Sequence, residues 1–347
     1  MNAKKILIIN PYGIGDVLFT TPVVSNLRLA YPQAKISFLA NRRTAEFLLH
    51  HTDISQVFTY ERDEFVKNRM KYLELFKNIK AQGFDMVFDF SLNSSFGFLS
   101  AACRIKRRIG FDYKKRGFFL TDRLALSGFE NKHMIEYNLD LLRLLELPIA
   151  IKQMKLTVPP HYIQWAKQWL KNHDVESGKP WVAVLPGGGA SWGASAKNKR
   201  WPASRYAHLI DKIVENFDAA IILMGDSREE ELAREVVKLA NFPVHFAVGQ
   251  SSVLQLAALL MQTHLAIVND GGPLHIAQAV GTRTVSIFGP VDPKVYGPYP
   301  VANHLTVTQG LPCQPCYRSF RMARCGHINC LNELSVDSVY RKVTEAL

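Results

Sequence analysis

A chain of 347 residues exceeds one ordinary hydrophobic core, so two domains are expected. With 48% apolar and 21% charged residues the balance is globular. No run stays apolar over the ~18 residues of a membrane-spanning helix.

The formal charge is +12, and residues 1–150 alone hold 22 basic against 15 acidic residues. Such a surface suits nucleic acid, anionic lipid or phosphorylated substrates, and equally an ordinary solvated exterior. The opening "MNAKKILIIN" has too short an apolar run for a secretory signal, so a cytoplasmic location is expected.

In chain order, "KKILIIN" predicts a strand that runs into "PYGIGDVLFTTP". This turn lacks the third glycine of G-x-G-x-x-G, because Leu18 follows Gly13 and Gly15 in its place. "TTPVVSNLRLAYP" predicts a helix with Thr21 as N-cap and Pro22 at its first position. "KISFLA" and "VFTY" predict strands. "EFVKNRMKYLELFKNIKAQG" predicts one helix with Phe65, Met70, Leu73, Leu75, Phe76 and Ile79 on its apolar face. "DMVFDFS" predicts a strand, helical or irregular segments follow, and "MIEYNLDLLRLLEL" predicts a helix ended by Pro148.

A second run of alternating signals starts near 181. "WVAVL", "AAIILMG", "HLAIVN" and "TVSIFG" read as strands, and "SRYAHLIDKIVENF", "REEELAREVVKLA", "LQLAALLMQ" and "PLHIAQAV" as helices. Continuously apolar strands alternating with helices predict parallel sheets covered on both faces. Each half is therefore expected to be a doubly wound α/β domain, over 1–160 and 175–330. In such sheets ligands bind beyond the carboxyl ends of strands, and several strands here end in glycines and acids.

"VNDGGPLHIA" places Gly271 and Gly272 at a helix start, where free amides suit phosphate oxygens and His275 adds a donor. "LPGGGASWGASAKNKRWP" repeats the strand-to-glycine step at Gly187 and Gly188, with Lys199 close behind to neutralise a diphosphate. It is not a Walker A loop, since the G-K-[ST] step is absent. In "MGDSREEE", Asp226 is expected first as a helix cap, with ribose contact by Asp226 or Ser227 as the secondary role. Asp16, a carboxylate on a glycine turn, suits proton removal from an incoming hydroxyl or an N-cap.

The densest basic stretch holds Arg104, Lys106, Arg107, Arg108, Lys114, Lys115 and Arg116, interleaved with Phe111, Tyr113, Phe118 and Phe119. It suits a nucleic-acid patch, or a phosphorylated lipid-linked glycan at an anionic membrane. Near the C-terminus Cys313, Cys316, Cys325 and Cys330 form C-x2-C and C-x4-C pairs. The ligand types suit a structural zinc, and reduced thiols or a redox pairing remain open.

The motifs together resemble glycosyltransferase family 9, the bacterial heptosyltransferases. "GIGDVLFTTP", "PGGGASWG…KRWP" and "NDGGPLHIAQAVGTRTVSIFGPVDP" match its signatures in order, with Arg283 in place of the usual proline and Val291 in place of Thr or Ser. The resemblance implies a GT-B architecture of two Rossmann-like domains facing across a cleft, with the acceptor on the N-terminal domain and the nucleotide sugar on the C-terminal one. A closing helix, 331–347, would pack back on the N-terminal domain. It further implies an inverting, metal-independent transfer of heptose from ADP-heptose to a lipopolysaccharide core acceptor. The location implied is the cytoplasm, peripheral on the inner membrane, with no nucleic-acid partner. Asp16 would be the general base, Lys199 would hold the diphosphate, Asp270 would contact the sugar, and Gly271, Gly272 and His275 would line the diphosphate. Residues 104–116 would serve the acceptor. Alternatives are another nucleotide-sugar donor, a sugar-nucleotide epimerase, a non-catalytic binding protein of the same fold, and a dinucleotide-dependent oxidoreductase. Leu18 and the ending of "SFLANRR" weigh against the last.

Overall fold

The computed structural model describes residues 3–188, 193–301 and 303–347, except for the side chains of 64–66, 69, 193 and 194. Phe65 as an apolar contact, and the part of the glycine loop at 189–192, lie outside the described residues. The chain divides into two compact units, Met1–Thr157 and Val158–Leu347.

The first unit runs β1 (Lys5–Asn10), α1 (Ile14–Leu18), α2 (Thr21–Ala30), β2 (Lys35–Asn41), α3 (Arg42–Leu48), β3 (Gln56–Tyr60), α4 (Arg62–Lys67), α5 (Arg69–Gln82), β4 (Met86–Asp89), α6 (Ser94–Ala102), β5 (Arg107–Tyr113), β6 (Asp122–Leu126) and α7 (Met134–Arg143). Its sheet has the order β3-β2-β1-β4-β5-β6, and every pairing is parallel. Strand β1 is central, which is why Ile6 to Ile9 form an unbroken apolar run with no exposed surface.

The second unit runs α8 (Pro160–Asn172), β7 (Trp181–Leu185), a 3-10 turn (Gly193–Lys199), α9 (Ala203–Phe217), β8 (Ala220–Leu223), a second 3-10 turn (Ser227–Glu229), α10 (Glu230–Leu239), β9 (His245–Phe246), α11 (Val253–Leu260), β10 (Leu265–Asn269), α12 (Gly272–Ala279), β11 (Arg283–Ile287), α13 (Pro293–Tyr296), β12 (His304–Val307), the hairpin β13 (Tyr317–Arg318) and β14 (Arg321–Met322), α14 (Asn329–Asn332) and α15 (Val336–Ala346). Its sheet order is β12-β11-β10-β7-β8-β9, again all parallel. Both sheets reverse direction beside their first strand, the Rossmann arrangement. The reversal lies between β1 and β4 in one unit and between β7 and β10 in the other.

Several local expectations are corrected. Thr20, not Thr21, occupies the N-cap of α2, while the Thr21 hydroxyl donates to Leu18 O at 2.7 Å and accepts from Lys155 N at 2.9 Å. The single helix expected over 64–83 is two. Asn68 adopts an extended conformation and caps α5 by accepting from Met70 N at 3.0 Å. That interruption resets the helical phase, so Leu75 and Ile79 are buried while Met70 is 69% exposed.

The segment after β4 contains two strands the sequence reading passed over. In β5, Ile109, Phe111 and Tyr113 are buried, and the arginines beside them hide the alternation. The closing helix is anchored within the second unit. Val339, Val343 and Ala346 form a helical stripe buried in the second unit's own core, and α15 packs on α9, β11 and β12. No helix among the described residues is long and apolar enough to cross a membrane.

Candidate active site

In the first unit the chain leaves β1 through a glycine turn into α1. Gly13 is the N-cap, with no side-chain capping bond, and Asp16 falls in the first turn. The Asp16 main chain is held from two sides. Asn10 donates through Nδ2 to Asp16 O at 3.0 Å, and the Thr20 hydroxyl donates to the same oxygen at 2.9 Å. Asn10 also donates to Thr20 Oγ1 at 2.8 Å, and both residues are buried. The turn is thus a fixed support for Asp16, which is partly exposed.

Three further groups share these strand ends. Tyr12 donates its hydroxyl to Ser91 O. Burial first, and then the Asp16 and Asp89 carboxylates, push its phenol above the ordinary range, while Arg116 opposes them. Asp89 closes β4 with its carboxylate buried, accepting from Ser91 N at 2.8 Å. Burial lifts its pKa to about 6 against the hydrogen bonding from Ser91. Asp16 and Asp89 therefore stand where β1 and β4 diverge, the position at which doubly wound sheets open a crevice.

The second unit repeats this plan. Asn269, the last residue of β10, donates to Pro186 O at 2.6 Å and Gly187 O at 3.1 Å, and accepts from Trp201 N at 3.3 Å. One buried amide therefore ties together the glycine turn after β7, the end of β10 and the "KRWP" segment. Trp201 is fully buried and donates through Nε1 to Leu334 O at 3.0 Å, which fixes the chain just after Lys199.

The Lys199 ammonium lies 2.6 Å from Asp270 Oδ2, with both side chains only 6% exposed. α12 begins two residues after Asp270, with Gly271 as N-cap and Pro273 in its first turn. Gly271 has an extended backbone, φ 160° and ψ −177°, so its conformation does not require glycine. His275 is buried in the first turn, with Nδ1 3.2 Å from Gln278 Oε1.

Gly187 is required by contact. A Cβ there would come within 1.9 Å of Glu229 Oε1. Glu229 is buried and accepts from Asp226 N at 3.0 Å, while Asp226 accepts from Arg228 N at 3.0 Å. Asp226 is thus the cap of its helix in a reciprocal capping box, and its carboxylate also binds the Arg228 guanidinium at 2.6 and 2.8 Å. Ser227 opens that turn beside Gly249.

Lys199, Asp270, Gly187, Gly188, Gly271, Gly272 and His275 thus gather at one set of strand ends, with Asp226 and Ser227 at the end of the neighbouring strand. The sequence reading missed Asn10, Tyr12, Asp89, Asn269 and Glu229. A shared signal was present, since both central strands end in asparagine, "LIIN" and "AIVN".

The basic stretch 104–116 is not one uniform patch facing only Asp112. β5 runs through it, leaving Arg104 and Lys106 before the strand and Lys114, Lys115 and Arg116 after it. Arg107 is occupied by Asp122 at 3.0 Å, and Arg108 donates to Phe119 O and Ile105 O at 2.6 Å each.

The cysteines surround the β13–β14 hairpin, and Ile328 N donates to Cys325 Sγ at 3.4 Å. Cys330 is drawn into the core of the second unit while Cys313 and Cys325 are exposed. Among the described residues no group of three or more His, Cys, Asp or Glu side chains is arranged to hold a metal ion.

Residues 72–325 match the model of glycosyltransferase family 9 (heptosyltransferase). Lipopolysaccharide heptosyltransferase 3 of Escherichia coli is 24% identical over 291 residues, covering 82% of this chain and 83% of that protein. The solved glycosyl transferase family 9 protein of Veillonella parvula DSM 2008 superposes with a TM-score of 0.82 at 21% identity, over 100% of this chain and 98% of that one. E. coli ADP-heptose lps heptosyltransferase II does so with 0.77 at 20% identity, over 99% and 98%. Two tandem Rossmann-like units of this kind constitute the GT-B architecture, and the chain belongs to glycosyltransferase family 9 as a glycosyltransferase.

Proposed function

We propose that the protein is an inverting transferase that moves heptose from ADP-heptose onto a phosphorylated, lipid-linked lipopolysaccharide core acceptor. The carrying observation is the buried Lys199–Asp270 pair beside the start of α12, in a family whose relatives are named for ADP-heptose and lipopolysaccharide.

On this reading the diphosphate of the donor takes Lys199 from Asp270. The freed carboxylate then meets sugar hydroxyls. Amides at Gly272 and the positive end of α12, with His275, receive phosphate oxygens. Gly187 and Gly188 let the backbone approach the nucleotide closely, and Asp226 and Ser227 stand at the neighbouring strand end for the ribose.

Asp16 accepts the proton of the acceptor hydroxyl as its oxygen bonds the anomeric carbon. The bond from that carbon to the diphosphate breaks, and the electron pair leaves with the nucleoside diphosphate. Negative charge grows on the leaving group, where Lys199 and the α12 amides stabilise it. Arg116, close enough to act on the Tyr12 phenol, is the basic residue of 104–116 best placed to meet an acceptor phosphate near Asp16.

A thermal-shift screen against ADP-, UDP- and GDP-sugars, followed by transfer assays, tests the reading. ADP-heptose is expected to give the largest shift and to support transfer. A larger shift and faster transfer with a UDP- or GDP-sugar would replace the donor, and dinucleotide reduction without transfer would replace the reaction.

A further inference from the structure

The connection from β5 to β6, residues 114–121, carries an exposed feature that the transfer chemistry does not use. Phe118 is 78% exposed and Phe98, on α6, is 51% exposed. Both rings stand edge-on to Phe119, at 5.3 and 5.4 Å between centroids. Phe119 in turn rests on Gly97, where a Cβ would meet Phe119 Cβ at 3.3 Å. The three rings are therefore one cluster, pinned to α6 and showing two of its members to solvent.

The backbone beneath them is fixed. Gly117 N donates to Asp112 Oδ1 at 2.9 Å, Arg108 Nε to Phe119 O at 2.6 Å, and Thr121 N to Arg108 O at 2.8 Å. Lys114 and Lys115 both hold left-handed backbone conformations, with φ 52° and 61°. Such conformations are unfavourable for side chains of this kind and persist where surroundings impose them.

Charge is just as one-sided. Residues 104–123 contain eight basic and two acidic residues. Asp122 is taken by Arg107, and Asp112 holds Gly117 N with Arg123 at 3.8 Å. The exposed cations before β5 and after it adjoin the aromatic residues in sequence, and both neighbouring carboxylates are engaged.

We propose that this surface docks on an anionic lipid bilayer, with Phe98 and Phe118 entering the headgroup boundary and Lys114 and Lys115 binding lipid phosphates. Exposed rings gain from leaving water, and flanking cations are drawn to a negative leaflet, so the two effects require the same orientation. An acidic protein partner would complement the cations but not the rings. A second copy of this chain would set like charges against each other. The proposal deepens the reading of a lipid-linked acceptor and rests on it for its biological purpose, while its physical basis is this surface alone.

Co-sedimentation of the full chain with phosphatidylcholine vesicles, with and without phosphatidylglycerol, tests it. Partitioning is expected only with the anionic lipid. It should fall about tenfold in Phe98→Ala/Phe118→Ala, and comparably in Lys114→Glu/Lys115→Glu. Phe118→Trp should shift its emission to the blue on anionic vesicles and not on neutral ones. Transfer to a water-soluble, delipidated acceptor should be unchanged in the phenylalanine variant. Absence of vesicle binding overturns the proposal, as does binding indifferent to both phenylalanines. A phenylalanine variant that changes oligomeric state instead assigns the surface to a second copy and also overturns it. Normal vesicle binding without transfer to any acceptor would sink the functional reading and leave this surface standing.

Discussion

Lys199 and Asp270 form a buried ion pair, 2.6 Å between Nζ and Oδ2, at the strand ends of the second unit. Removing either partner leaves an uncompensated charge out of water, a loss of about 3–5 kcal/mol. Lys199→Met and Asp270→Asn should each lower the melting temperature of the second unit by roughly 10 °C. The double variant should lose much less than the sum, and a double-mutant cycle by calorimetry measures the difference. Strict additivity would contradict the pairing.

Glu229 makes a different demand. Its carboxylate occupies the space a Cβ on Gly187 would need, at 1.9 Å. Gly187→Ala must displace Glu229 from Asp226 N, at a cost of about 1–3 kcal/mol, and should weaken nucleotide binding. Gly271→Ala should be tolerated, because the backbone there is extended. Isothermal titration with ADP distinguishes the two, and equal losses would show that the close approach at Gly187 is not limiting.

Asp89 makes the first unit lose stability as pH rises from about 4 to about 6. Burial lifts its pKa from 3.8 to about 6, so the folded state favours the protonated acid. Its contribution is fully present below the unfolded value and is lost as pH rises through about 6. Asp89→Asn keeps an oxygen acceptor for Ser91 N and removes the buried charge. It should stabilise by about 3 kcal/mol at alkaline pH and by almost nothing well below the unfolded value. Urea unfolding at both extremes checks this, and a gain independent of pH would contradict it.

His51 acts in the opposite direction. Burial, reinforced by Lys155 and opposed by Asp53, lowers its pKa from 6.5 to about 4, so the neutral ring is preferred. Its contribution is present above the unfolded value and is lost as pH falls through about 4. In the Asp89→Asn background, where the opposing gain at Asp89 is absent, the first unit should therefore weaken by about 3 kcal/mol across that acid window. All five tryptophans lie beyond residue 157, so circular dichroism should report the loss before tryptophan fluorescence does. Coincident transitions would contradict it.

Asp16, Asp226 and Asp270 stood out because each follows a continuously apolar strand within a few residues of a glycine. That juxtaposition is encoded locally. Asn10 and Asn269 were not, because their work is to accept and donate across segments far apart in sequence. Asp89 and Glu229 look like ordinary surface acids until the sheets bury them. Strands β5 and β6 escaped because arginines beside Ile109 and Phe111 made a strand resemble a charged patch. The packing partner of the closing helix was not legible, because an amphipathic stripe states that a helix packs, without stating against what.

The most direct test of the account is Asp16→Asn, with turnover and donor affinity measured on the same preparation. The Asp16 main chain is held by Asn10 and Thr20, so the amide should sit on an undisturbed turn. The account predicts a fall in kcat of about 10²–10⁴ with the ADP-heptose Kd unchanged. Full activity in Asp16→Asn, or loss of donor binding in step with activity, would contradict it.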